Sequence, residues 1–119
     1  MKPLLLLVLL IGTALAADQT YVGWVSDSGC ALARASVGTF IATNPDCARQ
    51  WVKQGKKIVL ISHEHKAVFA IDNPQLLQAH VGNKVSVSAS PVGQHRLHIS
   101  KVISSEVSNP ECERPKLKE

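Results

Sequence analysis

The residues of this 119-residue chain that could do chemistry are three cysteines, five histidines and one short run of hydroxyl, carboxyl and thiol side chains. His63-Glu64-His65 is the sharpest group. If strand geometry continues from Ser62 to Lys66, alternation puts His63 and His65 on one side, where two imidazoles could share Zn or Cu. A third ligand would have to come from elsewhere, with His95 or His98 as candidates, and the competing reading is a polar hairpin tip. Cys30 and Cys47 match neither the Cys-x-x-Cys of thioredoxin-like sites nor zinc-finger spacing, so a structural disulfide is expected ahead of a metal or redox pair. In the chain-entropy model such a bridge contributes about 3 kcal/mol. Cys112 stands between Glu111 and Glu113, whose charges disfavour its thiolate. It could form a disulfide-linked dimer, or fold back on Cys30 or Cys47, and all three pairings are open.

For catalysis, Ser26-Asp27-Ser28-Gly29-Cys30 supplies candidate nucleophiles and a carboxylate, but no Gly-x-Ser-x-Gly elbow and no histidine tied to them by local pattern. Asp27 and Ser28 read instead as the residues that cap and turn the chain out of a strand. Asp27, Asp46, Glu64 and Asp72 are scattered, without the spacing of a glycosidase pair, and there is no P-loop or dinucleotide-binding glycine pattern. The expectation is a protein without a catalytic constellation.

The elements that must position these residues begin after a leader. Lys2, the apolar run Leu4 to Ile11 and Ala14-Leu15-Ala16 have the layout of a secretory signal peptide cleaved after Ala16. The run is too short for a helix to span a roughly 30 Å hydrocarbon core. Once Lys2 leaves with it, twelve Lys and Arg face nine Asp and Glu, a small excess that weakly favours anionic partners. One domain over residues 17–105 is expected, followed by a charged tail over residues 106–119 with little reason to pack.

Within that domain, Asn44, Pro45 and Gly55 cap, start and stop a short helix whose stripe is Cys47, Ala48, Trp51 and Val52. Asn73, Pro74 and Gly82 do the same for a second, with Leu76, Leu77, His80 and Val81 as its stripe. Alternation and β-branched content mark strands at Tyr21–Ser26, Lys57–Ser62, Ala67–Asp72, Lys84–Ser90 and His95–Ile103, the last with Leu97, Ile99 and Ile103 inward. Pro91-Val92-Gly93-Gln94 reads as the turn before it. The order of strands and helices predicts a mainly β fold with two short helices, a small OB-like five-stranded antiparallel barrel.

Two stretches, YVGWVSDSGC at residues 21–30 and NPDCARQWVKQGKKIVLIS at residues 44–62, followed by residues 69–90, resemble a family of small secreted bacterial domains of unknown function with an SDSxC opening. The resemblance implies an OB-like barrel and a role for Cys30 and Cys47, and it implies no activity. Where that family's helix often carries a further cysteine, this chain has Trp51.

The function expected on these grounds is a non-enzymatic binding or interaction module of the bacterial cell envelope, periplasmic or secreted, with a weak ligand surface of Trp24, Arg96 and His98. Its partner would be an envelope protein, polymer or small ligand. The alternatives are a periplasmic metal-binding protein using His63 and His65, and a small envelope enzyme. Nucleic acid is disfavoured, because Trp51 and Phe69 fall where a core needs them and Trp24 alone is left to stack a base.

Overall fold

The computed structural model describes residues 18–107. The expected leader with its cleavage after Ala16, the expected tail beyond Val107 and Cys112 lie outside the described residues. Strand β1 (Gln19–Asp27) is followed by helices α1 (Ser28–Ala35) and α2 (Pro45–Lys53), then by the hairpin β2 (Ile58–Ser62) and β3 (Ala67–Ile71). A 3-10 helix over Pro74–His80 leads into β4 (Asn83–Gly93) and β5 (Arg96–Val107). The strands close a barrel in the order β1-β2-β3-β5-β4, antiparallel throughout except for a short parallel seam between β3 and β5. This is an OB-like barrel, and closure leaves few strand edges open.

Strand β1 belongs to both halves of the barrel: residues Gln19–Trp24 pair with β4 and Trp24–Asp27 with β2. Tyr21 and Val25 point into the barrel, where they meet Leu60, Phe69, Leu77, Val85, Val87, Leu97 and Ile99. Strand β2 is buried on both faces because α1 lies on the outside of the wall, and Ala31 packs there on Val59 and Ile61 with Trp24, Phe40 and Val68 around them. Helix α2 closes one end. Its Ala48 is fully buried, and Arg49 Nε donates to Val81 O at 3.1 Å.

Several expectations need correction. Residues 28–35 form α1, where the sequence reads as irregular loop; Asp27 is its N-cap, with Oδ2 accepting from Cys30 N at 3.0 Å. The second short helix is 3-10, and Asn73 does not cap it. Instead Asn73 Nδ2 donates to Ile99 O at 2.7 Å and Ile99 N donates to Asn73 Oδ1 at 2.8 Å, so the side chain prolongs the parallel seam like one more strand residue. Residues Pro91–Gly93 belong to β4, and the turn is Gln94-His95. Strand β5 reaches Val107. Its pairing shifts between Val87↔Val102 and Ser86↔Ser104, which leaves Ile103 as a bulged extra residue, half exposed at 50%, while Val102 packs on the core.

The parallel seam is short, with main-chain pairs only at Ala70↔Arg96 and Ile71↔Leu97, so the Asn73 bonds carry much of it. Removing them strands the amide and carbonyl of Ile99, itself 1% exposed. Asn73→Ala is expected to cost about 1–3 kcal/mol in urea unfolding. A cost below a few tenths of a kcal/mol would show that solvent satisfies both groups.

Candidate functional site

The barrel presents a groove of about 690 Å³ between the end of the β1–β2 connection and the β4–β5 turn. Its floor is aliphatic, with Val59, Val68 and Ala70 from the outer face of β2 and β3 beside Leu32 of α1 and Val52 of α2. Its rim carries Lys56 and Lys57 at one side and His95 and Arg96 at the other.

Local structure explains how these cations reach the rim. Helix α2 ends in a Schellman arrangement: Gly55 N donates to Val52 O at 3.0 Å, Lys56 N donates to Trp51 O at 3.0 Å, and Gly55 takes φ +98°. The chain reverses there and delivers Lys56 and Lys57 to the start of β2. At the other rim His95 has φ +53°, an uncommon conformation for a residue with a Cβ, and Ala70 N donates to its carbonyl at 2.8 Å. Turn and seam together fix where Arg96 leaves the barrel. Asp72 is the acidic residue lining the groove, and His98 Nδ1 lies 2.8 Å from its Oδ1.

The structure separates residues that the sequence grouped. Arg96 lines the groove, and His98 stands beside it holding Asp72. Trp24 lines a different depression with Val22, His63, Glu64 and Lys84. There it is half-buried on the α1 side of the wall, with Lys84 Nζ 5.3 Å from its ring centre, a cross-strand contact between paired residues. Trp24, Arg96 and His98 therefore do not form one surface.

The histidine pair also separates, because Ser62–Lys66 does not keep strand geometry. Residues 63–66 form a turn. His63 faces the Trp24 depression, whereas His65, itself exposed, leans on other partners: its Nδ1 lies 2.9 Å from Ser62 Oγ, and its ring is tilted 5.3 Å from Tyr21 and edge-on to Phe69 at 5.7 Å. His95 adds an edge contact to Phe69 at 6.2 Å, so the third-ligand candidates face other partners as well. No group of three His, Cys, Asp or Glu side chains among the described residues is placed to hold a metal ion. The Zn or Cu site that the alternative reading placed at His63 and His65 has no third ligand among the described residues.

Among the described residues Cys30 and Cys47 are not bridged to each other, so the expected disulfide between them is not formed. Cys47 is exposed on the first turn of α2, and Cys30 is half-buried against its own N-cap Asp27. Burial, the Asp27 charge and a hydrogen bond to that carboxylate push the Cys30 thiol above its ordinary pKa, with Cys47 adding to the rise and Arg34 opposing it. Alkylation by iodoacetamide needs the thiolate, so at Cys30 it should reach half its plateau rate at a higher pH than in an unstructured cysteine peptide. Asp27→Asn removes the charge and should move that midpoint down; an unmoved midpoint would show that burial alone sets it.

The Ser26–Cys30 segment is committed to structure. Ser26 Oγ shares a hydrogen bond with Thr43 Oγ1, and both side chains are buried. Asp27 is 1% exposed, and its second carboxylate oxygen has no partner.

Sequence spacing does not single out Lys56 and Lys57, and it offers His95 only as a candidate third metal ligand. Their signal was positional: in an OB-like barrel the outer face of β2 and β3 is framed by the β1–β2 and β4–β5 connections, and these residues end those connections. Among the described residues no helix is long and apolar enough to cross a membrane. Comparison with protein-family models, with curated proteins and with solved structures finds no match to this chain.

Proposed function

We propose that the protein is an exported, non-enzymatic binding module of the cell envelope and that the groove over β2 and β3 is its ligand site. The observation that carries this reading is the coincidence of a concave aliphatic surface with four basic or imidazole side chains on two connections, at the place where OB-like barrels bind ligands. Position within a fold is an argument by analogy, and the side chains at the rim give it chemical content. The Ser26 hydroxyl anchors a loop at Thr43 and the Asp27 carboxylate caps α1, which commits both to structure and favours binding over turnover.

Chemical-shift mapping tests the site. The 15N-labelled protein is titrated with peptidoglycan fragments, teichoic acid and an anionic glycolipid, and shifts are expected at Lys57, Val59, Ala70 and Arg96 for at least one of them. Saturable shifts confined to His63, Glu64 and Trp24 would move the site elsewhere. Chemical conversion of any of these compounds would overturn the non-enzymatic reading. Export is read separately: the protein recovered from outside the cytoplasm should have the mass of residues 17–119, and a retained leader would overturn cleavage after Ala16.

A further inference from the structure

Resting on the binding reading above, we infer that the groove takes a single-chain anionic amphiphile, a molecule with one alkyl or acyl chain and a phosphate or carboxylate head group. Three features of the lining lead there. The floor is aliphatic and no Phe, Tyr or Trp contributes to it, so the stacking platform that nucleobases and sugar rings use is missing from its lining. Val68, Ala70 and the exposed Leu32, above the buried Val59, instead offer methyl groups to a flexible chain. The volume lies inside the range of about 300–1,000 Å³ typical of small-ligand sites.

The rim chooses the head group. Lys56, Lys57 and Arg96 are basic side chains, and Arg96 can meet a phosphate or carboxylate with two parallel N–H bonds. Asp72, the acidic side chain among the lining residues, is engaged by His98, which lessens its repulsion of an anion. A cationic head group would meet three like charges and a neutral one would leave them without a partner, so charge complementarity favours the anion. Chain and head group are both needed: the exposed cations alone give weak, salt-screened attraction to any anion, and the aliphatic floor alone does not discriminate among apolar chains.

The probe is dodecyl phosphate held below its critical micelle concentration, titrated into the 15N-labelled protein, with dodecyl maltoside and inorganic phosphate in parallel. Saturable shifts at Val59, Ala70 and Arg96 are expected with dodecyl phosphate, and at least tenfold weaker binding with either control. Lys57→Gln combined with Arg96→Gln should weaken dodecyl phosphate binding about tenfold, whereas Lys101→Gln, an exposed cation outside the groove, should leave it unchanged. Equal affinity for the maltoside would overturn the head-group assignment, and equal affinity for inorganic phosphate would overturn the chain. Binding to anionic vesicles without binding of the monomer would make the surface a membrane contact and overturn the proposal. If all three probes leave the groove untouched, the amphiphile is wrong while the binding reading stands or falls on the envelope compounds named above.

Discussion

Gly23→Ala should abolish the folded barrel or destabilise it by more than about 3 kcal/mol, the effect of overpacking a site that cannot relax. An ideal Cβ at Gly23 would lie 2.3 Å from Ile61 O and 3.1 Å from Leu60 Cγ, and the first of these is main chain, which cannot rotate away. Gly23 occupies the stretch where β1 leaves β4 and joins β2, with Gly23↔Val85 on one side and Trp24↔Ile61 on the other. A bend that tight brings two backbones closer than a side chain allows, which is a recognised use of glycine in small barrels. The whole closure hinges on that crossing. Against a domain stability of about 5–15 kcal/mol, the expected loss is large. The control is Gly38→Ala, where nothing lies within 4 Å of the added atom and the cost comes from φ +78° alone, about 1–2 kcal/mol. Circular dichroism and urea unfolding of both variants decide the point. Equal stability of the two would mean that β1 can move off β2 without loss.

That prediction could not have been made from the chain alone, although much of the barrel could be. The hairpin β2–β3, the alternation of Val85, Val87 and Ala89, and the inward Leu97 and Ile99 follow from local patterns that the tertiary structure respects. Glycine 23 carries no local signal, since its requirement comes from a strand more than thirty residues away. Helix α1 had a local signal: Asp27 as N-cap followed by Ala31, Leu32, Ala33, Arg34 and Ala35, good helix formers in a segment of eight residues. Its shortness and Gly29 made it read as loop.

The stripes were legible only in part. Ala48, Val52, Leu77 and Val81 face inward as their spacing requires, but Trp51 and Leu76 stay exposed at 42% and 45% because neither helix packs with its full stripe. Likewise Ile103 follows strict alternation in sequence and breaks it in space, because the register slips at Ser100, between Ala89↔Ile99 and Ser88↔Lys101, and turns Val102 inward in its place. The groove was legible least. Its residues come from α1, α2, the 3-10 helix, three strands and the connections between them, and the meeting of Lys57 and Arg96 at one groove is a product of closure that no spacing records.

Closure is also what the second large effect concerns: Leu97→Ala should destabilise the domain by about 2–5 kcal/mol, the range for burying a cavity where a leucine was. Leu97 is fully buried, pairs with Ile71 across the parallel seam, and accepts at its carbonyl the Asp72 amide at 3.0 Å. Its neighbours in the chain are Arg96 at the groove and His98 on Asp72, so the side chain is the buried anchor between two surface groups that frame the ligand site. Losing its methyl groups should loosen the seam first, because only two main-chain pairs and the Asn73 bonds hold it. Hydrogen exchange under native conditions should therefore show the amides of Ala70, Asp72 and Ile99 losing more protection than those of Val25 and Leu60 on the antiparallel side. Binding should fall with it, since Arg96 is held in place by that seam. A uniform loss of protection around the barrel, with the seam no worse than the rest, would mean that Leu97 stabilises the fold as a whole and that the groove does not depend on the β3–β5 closure.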